Sequence, residues 1–159
     1  MKWISALMLV LLTSSVYAKD SQLQGQSNTK WKAECSSCHI AYPAKFLTAK
    51  NWQSMMQTLD KHFGSNAEIE VADRKVITDF LKRHAGKGSR HQANSLRISD
   101  TSWFKREHRE ISTASWTSPA IKSPSNCTAC HINGERGDWS ERGVRMPKGV
   151  QYEEEDDDD

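Results

Sequence analysis

Four cysteines and two histidines fall into one repeated word: Cys35-Ser36-Ser37-Cys38-His39 and Cys127-Thr128-Ala129-Cys130-His131. Together the two copies use every cysteine in the chain and two of its six histidines. A thiol can add to a vinyl group to give a thioether, and a neighbouring imidazole can bind iron, so C-x-x-C-H is the attachment signal of a c-type haem. The spacing has a physical reason. Two cysteines three apart lie about one helical turn from each other, and the next residue brings its ring under the macrocycle. The expectation is two covalently bound haem c groups with their iron, tethered by Cys35, Cys38, Cys127 and Cys130, with His39 and His131 as the proximal ligands.

Other uses of these cysteines fit less well. A structural zinc site would pair the two knuckles, but Cys38 and Cys127 are much farther apart than ribbon or finger spacings allow. A disulfide framework needs the even count seen here, yet leaves both adjacent histidines without a role. A thioredoxin-like pair belongs near a strand-helix-strand pattern, and no β-branched run precedes either motif.

An iron with a proximal imidazole needs a sixth ligand if it is to be closed, and His62, His84, His91 and His108 remain. Of these, His62 and His108 fall on expected helices beside aromatic residues, Phe63 and Phe104, so His62 is assigned to the first iron and His108 to the second. Met146 is the rival for the second site. Met55 and Met56 read as core, and His84 and His91 as surface residues.

These side chains must be positioned by helices. Asn28 or Thr29 can cap a short helix into the first motif, with Trp31 and Cys35 on one face; Pro43 breaks it, and Ala41-Tyr42-Pro43 becomes a turn at the haem edge. From a cap at Asn51, the apolar residues Trp52, Met55, Met56, Leu59 and Phe63 keep helical spacing as far as Gly64, with His62 in the last turn. A further helix over about Val71 to Ala85 carries Ala72, Val76, Ile77, Phe80 and Leu81 on one stripe and ends at Gly86. Three helices around one haem is the outline of a small cytochrome c. In the second half, Ser99 or Asp100 can cap a helix over 101–109, in which Phe104 and His108 share a face. Ser125-Asn126 caps the second motif and Gly134 stops that turn, leaving the chain to Pro147 to wrap the haem as irregular structure.

The ends and the charge bound the setting. Residues 1–18 read as a secretory signal peptide, with Lys2, the apolar stretch Trp3 to Leu12 and the small-residue site Val16-Tyr17-Ala18. A periplasmic location follows, with no transmembrane segment in the mature chain. Residues 19–86 are then the N-terminal haem domain, 87–97 a glycine-rich polar linker, 98–150 the C-terminal haem domain and 151–159 an acidic tail. The mean hydropathy of −0.73 implies that halves this small need porphyrin to complete their cores, so the haem-free chain is expected to be largely unfolded. The chain has 22 Lys+Arg against 20 Asp+Glu, and seven of those acids are Glu153 to Asp159. The body is therefore basic. Export and haem attachment argue against nucleic acid and for steering toward acidic redox partners; the tail reads as a solvated block.

Several words together resemble a family: Cys35-x-x-Cys38-His39 with Ala41-Tyr42-Pro43, Trp52, His62-Phe63-Gly64, Trp103-Phe104-x-Arg106-Glu107-His108-Arg109 and Asn126-Cys127-x-Ala129-Cys130-His131. The chain from Cys35 to Pro147 resembles the soluble dihaem cytochrome c family of proteobacteria. The resemblance implies a mainly α fold, with an N-terminal haem domain like class I cytochrome c and a smaller, largely irregular C-terminal haem domain. It also implies two irons each held by two histidines, and a small electron carrier rather than an enzyme, serving in some members an oxygen-binding monohaem cytochrome. A membrane electron donor is the expected source of electrons. The alternatives are a small haem enzyme or a gas-binding sensor with one open or labile iron, because chemistry on a small molecule needs a free position. Bis-imidazole ligation lacks the thioether that raises potential, so both haems are expected to be low-potential.

Overall fold

The structure, a computed structural model, is described over residues 29–151. The expected signal peptide and all but the first residue of the expected tail lie outside the described residues. Within them the chain is mainly α. Four α-helices, α1 (Thr29–Cys35), α2 (Ala49–Gln57), α3 (Val71–Arg83) and α4 (Ser102–Glu107), are joined by short 3-10 turns. No strand is present among the described residues; Thr48–Gly86 and His62–Ser65 are isolated bridges.

The core lies between α2 and α3. Trp52, Met55 and Met56 from α2 and Ile77, Phe80 and Leu81 from α3 form one buried cluster with Leu47, Leu59 and Ala93, each large side chain stabilising by about 1.5–3 kcal/mol on burial. The two methionines are thus core residues, as expected. Trp31 of α1 holds its ring 5.3 Å from that of Phe80, tilted by 37°, and so ties the first motif to this core.

Local boundaries differ from the sequence expectation where tertiary bonds compete. Thr48, not Asn51, caps α2, its hydroxyl accepting from the Asn51 amide at 3.3 Å. Asn51 is instead buried inside the first turn. Its amide donates to the Ala93 carbonyl at 2.6 Å and its oxygen accepts from the Ala93 amide at 3.1 Å. Helix α2 stops at Gln57, and a 3-10 turn over Leu59–Lys61 leads to His62, so that histidine is not helical. The apolar stripe of α3 is narrower than expected: Ala72 and Val76 are exposed. Helix α1 ends at Cys35, well before Pro43, which instead begins the turn Ala44–Phe46.

The stretch from 87 to 97, expected as a linker, is packed at two points. His91 is 2 % exposed and Ala93 3 %, and the His91 carbonyl accepts from the Thr48 amide at 3.2 Å. The surface assignment of His91 is therefore corrected. Gly86 is required here not as a helix cap but because a Cβ would stand 2.3 Å from the Lys45 carbonyl oxygen and 2.7 Å from the His91 ring.

Beyond residue 97 regular structure is sparse. Thr101, fully buried, caps α4 by accepting from the Phe104 amide at 3.0 Å, in place of the expected Ser99 or Asp100. The second motif opens with a 3-10 turn, Cys127–Ala129, without a side-chain cap; the Asn126 amide donates to the Ile121 carbonyl at 2.9 Å instead. Gly134 begins a turn rather than stopping one. Its bare Cα admits Ile40 and Trp139, each 3.2 Å from where a Cβ would be. Phe46, 5 % exposed, joins the two regions, stacked 4.8 Å from Trp103 and edge-on 5.0 Å from Trp139.

Candidate haem sites

The first motif ends α1 and delivers His39 into a turn. The His39 Nδ1 is 2.7 Å from the Ile40 carbonyl oxygen. A carbonyl can only accept, so Nδ1 carries the proton and Nε2 keeps a lone pair for a metal. Facing it is His62, its ring centroid 6.0 Å from that of His39 and its plane inclined by 27°.

His62 owes its place to a tight turn. Its carbonyl accepts from Ser65 at 3.0 Å, and the two residues between have left-handed backbones, Phe63 at φ 50° and Gly64 at φ 97°. Glycine adopts that region freely, whereas phenylalanine does so at a cost. The Phe63 ring lies 4.9 Å from the His62 ring and is covered on another side by the Arg97 guanidinium at 4.3 Å. This explains the word His62-Phe63-Gly64 as a turn that aims an imidazole. Burial, and then the neighbouring His39, hold the His62 pKa below its usual value, favouring the neutral form that can ligate.

The second site repeats the chemistry with different means. His108 follows α4, and its Nδ1 donates to the Phe104 carbonyl at 2.9 Å, again leaving Nε2 free. Its ring stacks on Phe104 at 4.1 Å, and Trp116 stands edge-on at 5.7 Å. The shared face of Phe104 and His108 is as expected, although His108 caps the helix instead of lying within it. His131 lies opposite, 6.1 Å from His108 with the planes 73° apart, and rests against Trp139 at 5.4 Å. Burial lowers the pKa of both His108 and His131, and the His131 Nδ1 is a buried nitrogen without a hydrogen-bond partner. A cleft walled by Phe104, Lys105, Arg109 and Trp116 opens beside His108.

These separations test the fit of an iron directly. Two metal–imidazole bonds of about 2.0 Å plus two ring radii give centroids about 6 Å apart, which both pairs match. Burial pushes the Cys35 and Cys127 thiols up to about 11. All four cysteines are free, and no group of three or more metal-ligating side chains gathers among the described residues. The two spare histidines sit elsewhere: His84 caps α3 against Phe80, and His91 packs beside Trp103.

Sequence reasoning missed Tyr42 as more than part of a turn. Its ring stacks on His39 at 4.8 Å with 23° between planes, and its hydroxyl donates to the Ser125 carbonyl at 2.6 Å, just ahead of the second motif. Nothing in the local pattern signals a contact that spans so much of the chain.

Residues 31–139 match the family model for dihaem cytochrome c. Among solved structures, the chain is similar to a dihaem cytochrome c of Shewanella baltica OS155, with 33 % identity, 79 % of this chain and 98 % of that one covered, and a TM-score of 0.67. It is also similar to the dihaem cytochrome c of Rhodobacter sphaeroides in two structures. One has 40 % identity and a TM-score of 0.57, with 70 % of this chain and 96 % of that one covered; the other has 39 % identity and a TM-score of 0.62, with 70 % and 95 % covered. No protein of curated description matches the sequence. The chain belongs to the dihaem cytochrome c family and carries two covalently bound haem c groups, each with its iron.

Proposed function

We propose that this protein is a periplasmic, low-potential electron carrier in which His39 and His62 close one iron, and His108 and His131 close the other. The observation that carries the reading is the facing of these imidazoles at 6.0 and 6.1 Å. Haem iron supplies the one-electron chemistry. The chain's own residues do the rest. Cys35, Cys38, Cys127 and Cys130 tether the two groups, while the Nδ1 bonds of His39 and His108 fix ring orientation. Phe104, Trp116 and Trp139 shield the imidazoles of the second site. Two imidazoles and no thioether favour a low potential, and an iron with six bonds passes electrons without binding a substrate.

Residues 19–86 carry the first haem and 98–150 the second. Export is supported by the composition of residues 1–18, and among the described residues no helix is long and apolar enough to cross a membrane. The partners are redox proteins, among them an oxygen-binding monohaem cytochrome and a membrane electron donor. Steering by the basic body favours acidic docking faces.

Carbon monoxide added to the reduced protein tests the ligation. The wild type should leave both haem spectra unchanged, His62→Ala should make the first haem bind the gas, and His108→Ala the second. Binding by the wild type, or a His108→Ala protein that stays closed through Met146, overturns the assignment. The ring planes add a second readout. In the oxidised protein the 73° pair should give a more anisotropic low-spin electron paramagnetic resonance signal than the 27° pair.

A further inference from the structure

We propose that Tyr42 is the electronic bridge between the two haem sites, its ring lying against His39 and its hydroxyl bonded to the Ser125 carbonyl beside Cys127. The ring stack on His39 has centroids 4.8 Å apart. From the phenol oxygen a 2.6 Å hydrogen bond reaches Ser125, and from there the backbone runs through Asn126 to Cys127, whose sulfur tethers the second haem. Tunnelling decays more slowly through covalent and hydrogen bonds than across empty space. This route has one van der Waals step, between two π-systems.

The competing contact is poorer. Ile40 follows His39, and its Cδ1 lies 3.2 Å from where a Cβ on Gly134 would stand, as does the Trp139 ring, but that path runs through a saturated side chain and then a second apolar gap. Phe46 and Trp139 form an aromatic contact leading to His131, with no ring contact from Phe46 to His39 among the described interactions. Among the described residues, Tyr42 connects a ligand of one site to the attachment segment of the other by ring and hydrogen bond.

The step is a single electron transfer. One electron leaves the reduced iron of one site and reduces the oxidised iron of the other; no bond forms or breaks and no proton moves. The electron comes from a reduced donor protein. The proposal rests on the reading that His39 and Cys127 serve different haems.

The test uses the holoprotein with both haems attached. A flash reductant delivers one electron, and the rate at which the two haems equilibrate is read from their spectra, with both midpoint potentials measured separately so that rates are compared at equal driving force. Tyr42→Phe, which keeps the stack and loses the hydrogen bond, should slow equilibration several-fold, and Tyr42→Leu should slow it further. Equal rates in Tyr42→Phe and wild type at equal driving force overturn the proposal. If Tyr42→Phe loses haem, Tyr42→Trp, which keeps a ring and lacks the phenol, carries the same comparison. Carbon monoxide binding by the wild type would break the ligation reading, whereas the interhaem rate alone decides the role of Tyr42.

Discussion

Around the first motif, α2 and α3 close a cluster that includes Leu47, Trp52, Ile77, Phe80 and Leu81. Around the second, the buried apolar side chains among the described residues are Phe104 and Ile121. Each large buried side chain stabilises by about 1.5–3 kcal/mol, so the first region has a core of its own, while the second has little apolar burial to draw on. The second region is held by backbone bonds in 3-10 turns and by short polar ties, such as Gln151 to Ser112 and Ser115 at 2.9–3.2 Å. Its remaining apolar surface must come from the porphyrin. Two motifs with the same chemistry therefore do unequal structural work, and a haem-free chain, expected to be largely unfolded, should lose order first in the second region.

The largest effect should come from blocking attachment. A protein with Cys127→Ala and Cys130→Ala should lose amide protection across 98–150 in hydrogen exchange while α2 and α3 stay protected. The reciprocal Cys35→Ala and Cys38→Ala protein should keep part of the α2–α3 protection. Equal loss in both regions, whichever motif is removed, would break the comparison.

Phe46→Ala should come next, because it removes the ring shared by Trp103 and Trp139. A loss of about 3–5 kcal/mol is expected for a buried phenylalanine. Denaturant unfolding followed by helical circular dichroism and by haem absorbance should report the loss in both signals. A fall in the helical signal alone would mean that the regions are energetically separate.

Two glycines give the finest contrast. Gly86→Ala drives a Cβ into a backbone carbonyl and the His91 ring in the rigid region, and should cost about 3 kcal/mol, the upper end for overpacking. At Gly134 the new Cβ meets the Ile40 and Trp139 side chains at 3.2 Å, which can yield, and about 1 kcal/mol is expected. Thermal melts of the two holoproteins measure the difference, and a larger cost at Gly134 would reverse the ranking of rigidity.

Much of this is legible in the sequence. The C-x-x-C-H words depend on neighbours one to four residues apart, and so do the face shared by Phe104 and His108 and the apolar stripe of α2. Pattern alone therefore brought out the two haem attachment sites, whereas His62, expected in a helix, faces His39 from a left-handed turn. Local rules misplaced caps and boundaries. Asn51 has the chemistry of a cap, yet its amide is taken by Ala93, 42 residues later, and Thr48 caps in its place. His91 lies in a polar, glycine-rich stretch that reads as surface, but Gly86 leaves room for its ring against Trp103.

The sequence by itself determined the covalent chemistry, the helical character of the chain and the supply of imidazoles, because each of these is settled within a few residues along the backbone. Only the tertiary structure decided that Phe46 meets Trp103 and Trp139 and that His62 is aimed by a left-handed turn. It also decided that the Tyr42 hydroxyl finds the Ser125 carbonyl 83 residues away. Such contacts are set by how the helices and turns pack, and a packing arrangement leaves no periodic mark on the residues that it brings together.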